Sequence, residues 1–147
     1  MDRIIKKNGF TLAELLIVVA IIGVLVAVSV PIFTNQLKKA RLATNKANAR
    51  AAYAAAMAWY MDNYNTDDED NRTSGTYDVK TGKFEGGMNG SAPATNLNID
   101  ERDIAKWTED TSATRGKKNL GDKVFTKWDV YWTRAFDGTI ESYTAHD

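Results

Sequence analysis

The sequence predicts an α+β protein, one long N-terminal helix packed on a small antiparallel sheet. Three observations carry that expectation. Leu15–Phe33 are 19 consecutive residues without a charge, close to the ~20 apolar residues that span a bilayer as a helix. Nine alanines follow between Ala43 and Ala58, and alanine is the strongest helix former. Near the other end, Val124, Trp128, Val130, Trp132 and Phe136 fall on one face of an extended strand, because side chains alternate across a strand.

The helix is expected from about Phe10 to Tyr64, roughly 80 Å at 1.5 Å per residue. Its second half carries small or apolar residues at Phe33, Leu37, Ala40, Thr44, Ala47, Ala51, Ala54, Ala58 and Met61. Steps of four and three keep one helical face, and this stripe is expected to meet the sheet. Tyr53, Trp59 and Tyr60 lie off the stripe and are expected to complete the core. Pro31 removes one backbone hydrogen bond, so a kink or a loosened turn is expected there. Three segments follow from this pattern: 10–33 as the transmembrane part, 34–64 as its amphipathic continuation, and 65–147 as a globular head.

Asp62 to Asn71 is polar and ends the helix. Thr76–Val79 and Lys83–Glu85 are expected to pair as a short hairpin around Lys80-Thr81-Gly82, and Asp100 to cap a short helix reaching about Trp107. Asp137-Gly138 is a two-residue hairpin signal. That turn places Phe136 opposite Thr139, Arg134 opposite Glu141 and Trp132 opposite Tyr143, an ion pair and an aromatic pair in one register. The aromatic face of this hairpin is expected to cover the alanine stripe.

Composition narrows the chemistry. There is no cysteine and one histidine, His146, which excludes His/Cys metal sites and cysteine nucleophiles and leaves no Ser-His-Asp set. No enzyme is expected. The acidic run Asp67, Asp68, Glu69 and Asp70 is either a solvated loop or a calcium site, although it lacks the Gly and distal Glu of an EF-hand loop. No other metal or cofactor is expected. Net charge is zero, which gives no case for a nucleic-acid partner. The halves differ: residues 1–61 carry +6 and residues 62–147 carry −6. Lys38, Lys39 and Arg41 are placed to meet anionic lipid head groups. Basic residues flank the apolar run on both sides, so the positive-inside rule does not choose an orientation.

Glu14 sits just inside the apolar run, where a carboxylate costs about 2.5 kcal/mol or more unless partnered. A basic leader ending at Gly9, a Gly9-Phe10 junction, Glu14 and a long apolar helix occur in that order. This junction resembles the type IV pilin family, including the pseudopilins of type II secretion. Gly23 and Pro31 also fall where many pilins carry a helix-loosening Gly and Pro. The resemblance implies a precursor cut after Gly9 by a prepilin peptidase, with Phe10 N-methylated. It implies assembly through the helix, with Glu14 facing the amine of Phe10 on a neighbour and Pro31 as a point of lengthening. The implied partners are other copies of the chain, the peptidase, the pilus or type II secretion machinery, and membrane lipid before assembly. The implied location is a single pass of the bacterial cytoplasmic membrane, N-terminus inside, and then a surface or periplasmic filament. Three other readings share the hydropathy: a secretory signal cut at Ala27-Val28-Ser29, a plain signal anchor, and a non-assembling bitopic protein with an outer binding domain.

Overall fold

A computed structural model describes residues 8–63, 73–88, 99, 103–114, 118–132, 140 and 142–147. Helix α1 spans Leu12–Asn63 and is unbroken at Pro31. Contacts divide the chain into two units, Met1–Gln36 and Leu37–Asp147.

In the first unit the apolar side chains of α1 are exposed, Leu12 through Phe33. A stretch that is apolar all round belongs in lipid or among other helices. This is the one helix among the described residues long and apolar enough to cross a membrane. Ser29 Oγ and Thr34 Oγ1 donate to the carbonyls of Leu25 and Val30 at 2.6 and 2.9 Å. These back-bonds satisfy the two hydroxyls inside an apolar segment, and such bonds tend to bend helices.

The second unit holds the rest of α1 and two sheets. Strands β1 (Thr73–Asp78), β2 (Lys83–Met88), β5 (Lys127–Trp132) and β6 (Ser142–His146) form an antiparallel sheet in the order β2-β1-β5-β6. Strands β3 (Ser112–Thr114) and β4 (Lys118–Asn119) make a separate ladder. The β1–β2 hairpin forms as expected, with longer strands. Its turn is organised by Asp78, whose Oδ1 accepts from the Lys80 and Thr81 amides at 2.8 and 3.2 Å. Gly82 closes it at φ 68°, a left-handed conformation that glycine adopts freely.

One sheet face carries Tyr77, Phe84, Trp128, Val130, Trp132, Tyr143 and Ala145, packed with the helix alanines Ala49, Ala52 and Ala56. Trp107 stacks on Trp128 at 5.8 Å and meets Tyr143 edge-on at 5.5 Å. Phe84 lies between Trp59 and Trp132, at 6.1 and 6.3 Å. Gly86 gives Trp59 its place, since a Cβ there would lie 2.6 Å from the indole. Tyr53, Trp59 and Tyr60 pack against the core, as expected.

Four expectations are corrected. The buried helix face is Asn45, Ala49, Ala52 and Ala56, not the stripe through Ala40, Ala47, Ala54 and Ala58, which is exposed, with Met61 at 72%. Alanines occur on every side of this helix, so two parallel stripes fit the same spacing and packing chose between them. The β5–β6 register pairs Val130 with Tyr143 and Trp128 with Ala145, not Trp132 with Tyr143. A shift of two residues leaves each side chain on its own face, and Ala145 opposite Trp128 leaves room for the stacked Trp107. The Asp137-Gly138 turn, Phe136, Arg134 and Glu141 lie outside the described residues. Val124 precedes β5 and is 39% exposed. The short helix is a 3-10 turn, Ile104–Lys106, capped by Asp103, whose side chain accepts from the Ala105 amide at 3.0 Å; Asp100 lies outside the described residues.

Candidate functional site

The start of α1 is built by two residues. Thr11 precedes the helix, and its Oγ1 accepts from the Glu14 amide at 3.2 Å. Glu14 returns the bond, its Oε2 accepting from the Thr11 amide at 2.8 Å. This is a capping box, in which two otherwise unpaired helix-start donors are satisfied reciprocally. Glu14 therefore has a task within its own subunit. Its second carboxylate oxygen accepts no hydrogen bond from any described residue. The signal was present in the sequence: Thr-x-x-Glu ahead of an apolar run is the capping-box pattern.

Phe10 is 88% exposed just before the box, and Gly9 is exposed with open space around it. Phe10, Glu14, Leu15, Ile17 and Val18 line a shallow apolar recess at this helix start. Leu12, Leu15, Leu16, Val19 and Ala20 line another. Pro31 lies inside the same helix, away from these recesses. Of the expected site residues, the structure brings Phe10 and Glu14 to one recess. Asp67, Asp68, Glu69 and Asp70 lie outside the described residues, and no group of three metal-ligating side chains occurs among the described ones.

A second polar arrangement went unnoticed in the sequence. Asn45, fully buried, donates from Nδ2 to the carbonyls of Leu120 and Lys123, both at 2.8 Å, and accepts from the Phe125 amide at 3.0 Å. Arg41 donates to the Asp122 carbonyl at 2.7 Å, and Asn48 to that of Phe125 at 3.4 Å. Lys46 donates to the Ala105 carbonyl at 2.9 Å. The helix thus holds a loop of the head by its backbone, in a chain without a disulfide. Arg41, placed by its sequence position at the lipid surface, is engaged in this clamp. No local pattern marks such bonds, because the partners lie 59 to 81 residues away.

On the outer sheet face Asp129 accepts from Thr76 Oγ1 at 2.6 Å, and His146 Nε2 lies 3.1 Å from the same oxygen. Lys123 pairs with Asp147. These contacts hold the C-terminal strand. Tyr143 is pushed above its ordinary pKa by burial, and further by the nearby Tyr53.

Residues 5–30 match the model of the prokaryotic N-terminal methylation motif. The chain is 39% identical over 57 residues to the type IV major pilin protein PilA of Myxococcus xanthus, covering 39% of this chain and 26% of that one. It is 48% identical over 54 residues to the type IV narrow pilus major component PilA5 of Thermus thermophilus, covering 35% of this chain and 47% of that one. A longer match, 28% identical over 120 residues and 78% of each chain, is to the fimbrial protein EcpC of Eikenella corrodens. The chain thus spans about a quarter to a half of the first two relatives. No solved structure matches it. The matched motif includes the capped start of the apolar helix, and the relatives are named as pilin and fimbrial proteins: the chain carries a prokaryotic N-terminal methylation motif and is similar to type IV pilins.

Proposed function

We propose that this chain is the precursor of a filament subunit that assembles through its N-terminal helix. Residues 1–9 are the leader, a prepilin peptidase cuts after Gly9, and Phe10 becomes the N-methylated end. Before assembly the segment 10–33 crosses the cytoplasmic membrane with its N-terminus inside, and the head lies outside. In the filament the same apolar side chains pack against other copies.

The observation that carries this reading is the contrast at the helix start. Side chains that are each worth about 1.5–3 kcal/mol when buried stand exposed from Leu12 to Phe33, and the single carboxylate among them is already ordered by Thr11. One oxygen of Glu14 caps its own helix, which leaves the other for the amine of Phe10 on a neighbour. In a water-poor bundle, a subunit that leaves this carboxylate or amine unpaired carries a large penalty, so the pair sets register. Pro31 deletes one helix hydrogen bond at a point where the helix can lengthen as subunits are extracted from lipid.

Mass spectrometry of the N-terminus, on protein made in a host with the assembly machinery, tests the first step. The expected mature end is methylated Phe10. A chain beginning at Val30 identifies an ordinary signal sequence and overturns the reading. An uncut chain that forms no filaments leaves a bitopic membrane protein in its place.

A further inference from the structure

We propose that Lys39, Lys46 and Arg50 form a cationic row on α1 that receives carboxylates from the head of a second copy of this chain. The proposal rests on the filament reading above and names a contact within it.

Residues 15–61 contain five cations, Lys38, Lys39, Arg41, Lys46 and Arg50, and no Asp or Glu. Residues 62–147 contain seventeen acids against eleven Lys and Arg. Charge is therefore segregated along the chain. The helix lacks the acids at i±3 or i±4 that would neutralise its cations locally. The described part of the head does not neutralise them either. Among the described residues, none of the five forms an ion pair, and Arg41 and Lys46 donate to backbone carbonyls.

Three of the five share a side. Steps of seven and eleven residues return to nearly the same helical angle, so Lys39, Lys46 and Arg50 form a row. It lies about 100° round the helix from the buried Asn45–Ala56 face. Lys39 and Arg50 are exposed and Lys46 is half-buried. Beside the row stand the exposed small residues Ala43, Ala47 and Ala54, which let another chain approach closely.

Two occupants have the right charge, anionic lipid and a second copy. Chain length decides between them. Lys39 follows Phe33 by six residues, but Arg50 follows it by 17, roughly 25 Å of helix. The polar layer of a bilayer is only about 5–8 Å deep on each side, and screening removes longer reach. Lipid can serve Lys39 and not the whole row. A filament brings these helices side by side, where unneutralised cations repel. The acidic heads are the complement present in the same assembly. Glu85 and Asp110 are exposed carboxylates of the described head that make no ion pair there.

The test uses filaments grown from an equal mixture of heavy-nitrogen-labelled and unlabelled full-length chain, treated with a zero-length carbodiimide and read by mass spectrometry. The expected product is an isopeptide from Lys39 or Lys46 of one copy to an Asp or Glu of another. In parallel, the double variant Lys39→Gln, Arg50→Gln removes two exposed cations that form no ion pair with any described residue. It is expected to lower filament yield about tenfold, at an unchanged level of membrane-bound subunit. Filaments that carry no intermolecular link at Lys39 or Lys46 overturn the pairing alone. So does a double variant that assembles at the parental yield, or one that assembles normally and loses only retention of anionic lipid, which assigns the row to the bilayer. Failure of the parent chain to form filaments overturns the filament reading and the pairing with it.

Discussion

Residues 12–33 and 45–56 belong to one helix and follow opposite rules. In the first stretch apolar side chains are exposed, and the polar groups in it and at its two ends are bonded locally: Thr11 with Glu14, Ser29 with Leu25, Thr34 with Val30. In the second stretch small side chains are buried, and Asn45 and Asn48 reach out to distant backbone. A helix destined for an apolar surrounding must satisfy its own polar groups, because nothing around it will. A helix that carries a folded head can use polar side chains as ties. The difference teaches that the first stretch is complete only in lipid or in an assembly, whereas the second is complete in the subunit.

The sharpest way to break that comparison is at Glu14. Glu14→Ala removes both the cap and the proposed intermolecular pair, and filament yield is expected to fall to background while membrane insertion is unharmed. Glu14→Gln keeps the capping box, since Gln serves there as well as Glu, but removes the charge. Assembly lost in both variants assigns the role to charge. Assembly restored by Gln assigns it to the cap and rejects pairing with the neighbour's amine.

Within the second unit, the largest expected loss of stability is at Asn45. Asn45→Ala leaves two carbonyls and the Phe125 amide without their partner, a cost of about 3 kcal/mol. Hydrogen exchange at the Phe125 amide of the full chain in detergent should speed up by about a hundredfold. An unchanged rate would show that water replaces the clamp. Gly86→Ala is expected to cost about 1–3 kcal/mol by overpacking, since the new Cβ meets the Trp59 indole at 2.6 Å. If that contact is the cause, Trp59→Leu should absorb much of the cost in a double-mutant cycle. Additive losses would place the strain elsewhere.

The smallest effect is one of pH. Burial raises the folded pKa of Tyr143 above the value near 10 of an unfolded chain. The folded state therefore keeps its proton where the unfolded state gives it up. The stability tied to that proton is fully present below about pH 10 and is lost as pH rises beyond it. Thermal melts at increasing alkaline pH should show a decline that Tyr143→Phe lessens, with no difference between the two proteins at neutral pH.

The sequence by itself determined the elements whose signal is local. A charge-free run, an alanine-rich continuation, the Asp78–Gly82 turn and the alternating Trp128, Val130 and Trp132 each act through neighbours a few residues away. The capping box was equally local and was readable from Thr11 and Glu14. Tertiary structure decided three further matters. Alanines on all sides gave the helix no preferred rotation, so only packing against Trp128, Val130 and Trp132 selected Ala49, Ala52 and Ala56. The β5–β6 register was degenerate because a two-residue slip preserves both faces, and the stacking of Trp107 on Trp128 distinguishes the pairing with Ala145. Asn45 looked like any polar residue of an exposed helix until its amide met Leu120, Lys123 and Phe125. Such bonds join side chain to backbone across most of the chain, and a backbone group has no residue identity from which a partner could be read.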